Sequence, residues 1–335
     1  MIRRLIICND GTWNSPDDED RGKRKPTNIS KISRAICPVD SSGVSQIVFY
    51  DEGVSTEFGQ KLIGGITGTG LSSNVLQAYR FLAHNYMEDD EIYLFGFSRG
   101  AYTSRSLSGL IARIGLIHKD DIFYLPELYE FYKSAAEEKT VDEFFLDKGL
   151  KRHKPRIKMI GVFDTVGALG IPFGGINRLL SGLDLIEFQF HDVKLSASVD
   201  YAYQALGIDE RRTPFEPSLW TKKPDSTKEM EQRWFVGVHS NIGGGYDPDG
   251  LANITLNYII AKAKNLGLQF DNEYLSYYVG FSDSELRESM TLKYRVLGEH
   301  IRPITQNDDS NQMVDSSVYD RIKKLDDYKP ENIPI

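Results

Sequence analysis

The stretch Gly96-Phe97-Ser98-Arg99-Gly100 stands between an apolar run, Glu91 to Phe97 (EIYLFGF), and a segment with helical spacing, Ala101 to Ile114, that Gly115 ends. A buried strand that passes through so tight a turn into a helix leaves few folds open. The turn needs small flanking residues so that the two backbones can pass each other. It lifts one hydroxyl above the carboxyl end of a sheet, at a helix N-terminus, where unsatisfied N–H groups favour developing negative charge. Ser98 is therefore the candidate nucleophile. The competing explanation is a plain strand–helix turn with a capping serine.

The rest of the chain alternates strand and helix in the same way. Leu5 to Cys8 and Gln46 to Tyr50 (QIVFY) read as strands, and Asn74 to Met87 as a helix before EIYLFGF. Arg156 to Phe163 (RIKMIGVF) and Gln232 to Val238 (QRWFVGV) read as later strands, with a helix from Ala252 to Leu266 packed behind. This pattern predicts an α/β fold of the α/β-hydrolase type, a mostly parallel sheet with helices on both faces. Residues 1–335 are expected to form a single domain with a helical insertion at about 116–154 and an irregular one at about 171–232. Within the second, Phe173, Leu179, Leu180, Leu183, Leu185, Ile186, Phe188 and Phe190 are expected to pack as ordinary core or to form a lid or lipid-facing wall.

A serine hydroxyl needs a base, and the base needs an orienting carboxylate. In this fold the order along the chain is Ser, then Asp or Glu, then His. Of the six histidines, His239 alone follows directly on a buried-looking strand (WFVGV) and precedes a glycine-rich turn, so it is the candidate base. Asp164 ends the strand IKMIGVF and is the candidate acid, with Asp209 and Glu210 (GIDERR) as competitors. An Asx-turn or helix cap would also account for Asp164. The oxyanion donors are expected to be the N–H of Arg99 and that of Gly11 or Thr12, in the loop after the first strand. Asp10 could orient that loop, and Asp209 is a second supporting candidate.

Two patterns invite other chemistry. Gly64 to Gly70 (GGITGTG) precedes a helix as a phosphate loop does, but Leu71 occupies the place of the required lysine. IICNDGT resembles the first motif of aspartate-nucleophile phosphatases, but Cys8 stands where the nucleophile belongs. No Cys/His cluster has metal-ligand spacing, so neither a metal nor a cofactor is expected. A metal-assisted phosphohydrolase using Asp10, Asp164 and His239 is one alternative, and a non-catalytic binding module on the same fold is another.

Composition bounds the partners. A net charge of -8 argues against nucleic acid. Cys8 and Cys37 make no disulfide framework, and Cys8 is expected to be a small buried hydrophobe. The apolar run after Arg3-Arg4 is too short for a signal peptide, and no stretch is long and apolar enough to span a membrane. The expectation is a chain that is cytoplasmic at synthesis.

Together these segments resemble a bacterial family of α/β hydrolases whose best-known members are phospholipase effectors of type VI secretion. The matching stretches are CNDGTWN (8–14), YDEGVST (50–56), ITGTGLSSNVLQAYRFL (66–82), DEIYLFGFSRGAYTSRSLSGLI (90–111) and GVFDTVGALGIP (161–172). ALGIDERRTPFEPSLW (205–220), WFVGVHSNIGGGYDPDGLAN (234–253) and SSVYDRIKKLDDYKPENIP (316–334) complete the likeness. The resemblance implies a triad of Ser98, Asp164 and His239. It implies ester hydrolysis of a phospholipid or other acyl lipid, transient membrane contact, a secretion-system or immunity partner, and export without a signal peptide. The larger effectors carry further membrane-binding regions, and this chain is close to the catalytic domain alone.

Overall fold

The structure is a computed structural model that describes residues 2–11, 19–53, 68–134, 137–167, 194–295, 298–305 and 309–333. Its centre is a seven-stranded sheet of β1 (Arg4–Asn9), β2 (Gln46–Asp51), β3 (Glu91–Phe97), β4 (Ile157–Phe163), β5 (Val199–Gly207), β6 (Glu229–Phe235) and β7 (Gln312–Val314). The spatial order is β7-β6-β5-β4-β3-β1-β2, and every pairing is parallel. Parallel strands need crossovers, and helices supply them: α1 (Asn28–Ala35), α2 (Gly68–Asn85), α3 (Arg99–Ile114), α4 (Leu125–Lys133), α5 (Glu138–Lys148), α6 (His239–Gly243) and α7 (Gly250–Asn265). The short α8 (Asn272–Ser276) and α9 (Leu292–Arg295) precede α10 (Ser316–Lys324).

Helices on both faces bury the central strands completely, which is why β1 and β3 read as unbroken apolar runs. Their residues alternate between two cores. Leu5, Ile7, Ile92 and Leu94 pack with residues of α2, α3, α4 and α5. Ile6, Cys8, Tyr93 and Phe95 pack against α1 and α7, and Cys8 is fully buried as expected. Each such aliphatic side chain contributes about 1.5–3 kcal/mol by leaving water.

Three differences from the sequence expectation have physical causes. β5 lies inside the region read as irregular, between 171 and 232. Its sequence VDYAYQALG carries Asp, Gln, Ala and Gly, which strands disfavour. Its buried Gln204 is tolerated because it bonds the Ser218 carbonyl, and it accepts the Thr165 hydroxyl at 2.7 Å. β6 begins three residues earlier than its apolar pattern and ends earlier too. Its charged start is paired, with Glu229 and Glu231 both bonding Lys262 of α7. β7 is only three residues long and sits in the polar C-terminal part, where no period-2 pattern announces it. The helical reading of 116–154 agrees with α4 and α5, and an antiparallel pair, Leu116–Ile117 with Arg152–His153, closes its base. The apolar residues named for a lid or wall between 173 and 190 lie outside the described residues.

Strand order fixes where function can sit. The chain reverses direction across the sheet at β1, which has β2 on one side and β3 on the other. Loops leaving β1 and β3 diverge there, and the crevice beyond the strand ends is where open α/β sheets bind ligands. The loop after β1 crosses directly over the turn after β3. A Cβ on Gly100 would lie 2.1 Å from the Asn9 carbonyl oxygen, and one on Gly96 would lie 2.5 Å from that of Gly100. Backbone stands in the way at both positions. Gly100→Ala is therefore expected to cost at least about 2 kcal/mol, measurable as a lower urea midpoint.

Candidate active site

Register brings the first two functional side chains together. Phe97 and Phe163 are partners at the ends of β3 and β4, so the residues following them are neighbours. Ser98 donates its N–H to the Phe163 carbonyl, and Asp164 donates its own to Ala205 of β5. Both leave the sheet with positive φ, 57° for Ser98 and 40° for Asp164. Side-chain-bearing residues pay for that region, and such strain collects where a side chain must be aimed. Ser98 immediately precedes α3, whose first N–H groups point out of the helix end beside the hydroxyl.

His239 opens α6, two residues past Gly237, which also has positive φ. Its Nδ1 lies 2.6 Å from Asp164 Oδ2, and its Nε2 lies 2.8 Å from Ser98 Oγ. An ionised carboxylate only accepts, so Nδ1 carries the proton and Nε2 is left to accept from the serine hydroxyl. The imidazole is held between two rings, Phe97 at 4.7 Å and Phe215 at 4.9 Å between centroids.

Burial alone would raise the Asp164 carboxyl. The Arg302 guanidinium and the histidine bond outweigh it and hold the group well below the usual carboxylate range. Arg302 bonds both carboxylate oxygens, Nη1 to Oδ1 at 2.6 Å and Nη2 to Oδ2 at 3.0 Å. The Gly207 N–H adds a further donor to Oδ1 at 3.0 Å. Arg302 is 1% exposed and Asp164 is fully buried. Nothing in the sequence marks Arg302: it stands in a polar stretch, and only the fold carries it to the sheet centre. The local signal would have been a lone arginine between Ile301 and Pro303.

The two competing acids serve the histidine loop from behind instead of meeting the ring. Glu210 accepts the main-chain N–H of His239 at 3.1 Å and is gripped by Arg212 at 2.7 Å and Ser289 at 3.1 Å. Burial would raise its carboxyl, and Arg212 brings it below the ordinary value. Asp209 accepts the Gly237 N–H at 2.7 Å and the Tyr328 hydroxyl at 3.1 Å, and burial pushes it up. Arg212 also stacks on Phe215, 3.5 Å from the ring centre, and so steadies the wall of the imidazole slot.

Of the oxyanion candidates, Arg99 begins α3 directly after Ser98. Burial pushes its guanidinium down to about 10, so the side chain stays cationic at neutral pH. The Gly11 N–H donates to Asp10 Oδ1 at 2.7 Å. The other Asp10 oxygen takes the hydroxyls of Thr27 at 2.5 Å and Tyr50 at 2.8 Å, so Asp10 does brace the loop. Thr12 lies outside the described residues.

A metal reading of Asp10, Asp164 and His239 meets a physical obstacle. Both Asp164 oxygens already face a buried guanidinium. No group of three or more His, Cys, Asp or Glu among the described residues is placed to hold a metal ion. No helix among them is long and apolar enough to cross a membrane.

Comparison with known proteins bears on the same region. The family model for the catalytic domain of Tle1-like phospholipase effectors of type VI secretion matches residues 3–262. The uncharacterized protein YEL023C of Saccharomyces cerevisiae is 29% identical over 246 residues, which cover 66% of this chain and 33% of that protein. The chain thus spans about a third of the length of this curated relative. A crystal structure of an uncharacterized protein from Pseudomonas aeruginosa aligns with TM-score 0.48 and 15% identity, over 88% of this chain and 48% of that one. The Tle1 effector bound to the VgrG spike of the type 6 secretion system aligns with TM-score 0.40 and 20% identity, over 74% of this chain and 52% of that one. On the match over residues 3–262, the chain belongs to the family of Tle1-like phospholipase effector catalytic domains, whose membership supports lipid-ester hydrolysis.

Proposed function

We propose that this protein hydrolyses carboxylic esters of acyl lipids, phospholipids foremost, through an acyl-enzyme on Ser98. The observation that carries the reading is the unbroken relay from Ser98 Oγ through His239 to Asp164, at 2.8 and 2.6 Å. His239 takes the serine proton as Oγ attacks the acyl carbonyl. Asp164 holds the imidazole in the required tautomer and steadies the imidazolium as it forms. The Arg99 N–H, at the positive end of α3, receives the oxyanion. His239 then returns the proton to the departing alcohol, and water, activated by the same imidazole, releases the fatty acid.

Family membership supports a lipid ester over other esters. The solved Tle1 effector is bound to a VgrG spike, and we extend to this chain a spike or immunity protein as partner, with export that needs no signal peptide. A non-catalytic role gains nothing from a strained serine aimed at a buried His–Asp pair.

Incubation of the purified protein with a total lipid extract tests the reading. Free fatty acid and the matching lysophospholipid are expected to accumulate together, and the lysolipid position identifies the bond cut. Release of phosphate or of a phosphorylated headgroup, with acyl chains intact, would overturn it.

A further inference from the structure

We infer that Arg302 is a positioning residue for the triad: it fixes Asp164 so that one carboxylate oxygen stays aimed at His239. The inference rests on the serine-hydrolase reading above and adds to it a residue that holds the acid in place.

The geometry is that of a built clamp. Arg302 spends its planar fork on the two oxygens of Asp164 and also donates to the carbonyls of Gly207 at 2.7 Å and Phe215 at 2.6 Å. One guanidinium thereby ties the carboxylate, the end of β5 and the main chain of Phe215, whose ring touches the imidazole. A lysine could not reproduce four such bonds.

The chain fixes Arg302 in turn. Asn332 donates to the Arg302 and Ile208 carbonyls, both at 3.0 Å, and the His300 N–H bonds Arg211 at 2.9 Å. Arg302, His300 and Asn332 all lie past residue 262, where the family match ends. The segment from 298 onward is thereby tied to the residues around Asp164.

The shared oxygen gives the clamp its consequence. His239 Nδ1 and Arg302 Nη2 bond the same atom, Asp164 Oδ2. Asp164 Oδ1 is held by Arg302 Nη1 and the Gly207 N–H, so the carboxylate cannot rotate without breaking these bonds and Oδ2 stays on the imidazole.

The test compares the full-length chain with Arg302→Met, which keeps volume and removes charge, and with Arg302→Gln, whose amide can still donate to a carbonyl should the Met variant fail to fold. Arg302→Lys keeps the charge and loses the fork. Two readouts are taken: kcat and KM separately on a short-chain p-nitrophenyl ester, and the low-field proton NMR signal of the His239 Nδ1–H bond, assigned by its loss in His239→Gln. In all three variants kcat is expected to fall by about 10²-fold while KM stays near that of wild type, and the low-field signal is expected to move or broaden. An unchanged kcat and an unmoved signal in a folded variant overturn the inference. Absence of any ester turnover in wild type would instead defeat the hydrolase reading, and the NMR arm would still decide whether Arg302 positions Asp164 on the imidazole.

Discussion

Ser98→Ala is expected to abolish labelling by a fluorophosphonate and to lower kcat on a lipid ester by roughly 10⁵ to 10⁶-fold. The loss should be chemical and not structural. Alanine keeps the Cβ, so the backbone strain at φ 57° and the glycine contacts of the turn are unchanged. Only the hydroxyl at 2.8 Å from His239 Nε2 disappears. Stability should therefore stay within about 1 kcal/mol of wild type, as for the loss of one partly exposed hydrogen bond. The residual rate over water would come from the helix-end N–H groups and from substrate binding. Equal fluorophosphonate labelling of wild type and variant would place the nucleophile elsewhere and dissolve the mechanism.

That this prediction can be made from one serine reflects how the relay is encoded. Ser98 was legible because an elbow is local: strand, turn and helix lie within 24 consecutive residues, Glu91 to Ile114, and each leaves its own period in the sequence. Asp164 and His239 were legible for a related reason, since each follows directly on a strand or its exit turn, where parallel topology must deliver it to one rim. β5 was not. A strand buried on both sides normally advertises itself with β-branched residues, whereas VDYAYQALG relies on tertiary bonds at Gln204 to make its polar groups tolerable. Asp164 could be preferred over Asp209 and Glu210 from sequence because it ends a legible strand, whereas the strand before Asp209 was not legible. In the structure one carboxylate meets the ring and two meet main-chain N–H groups.

Arg302 belongs to a class that sequence reading misses by construction. A buried cation is expensive unless paired, and the pairing partner lies 138 residues away. No periodicity links the two positions. Only the tertiary fold brings this C-terminal stretch to Ser98, Asp164 and His239, which all precede residue 240.

The same pairing makes Asp164→Asn the second large effect, and it should damage the protein in two separable ways. The wild-type carboxylate receives four donors: His239, both arms of Arg302 and the Gly207 N–H. An amide offers one oxygen and one NH₂, so two of those donors face another donor. The imidazole can escape by shifting its proton to Nε2, which then points an N–H at Ser98 and cannot act as base. A loss in kcat of about 10⁴-fold is expected. The guanidinium cannot escape. It is left buried without its counter-charge, and breaking a buried pair in this way costs about 3–5 kcal/mol, seen as a lower urea midpoint. A double variant separates the two effects. Adding Arg302→Met to Asp164→Asn removes the orphaned charge, so most of the stability should return while kcat stays low. Recovery of both, or of neither, would mean that the carboxylate and guanidinium are not coupled as their two short bonds require.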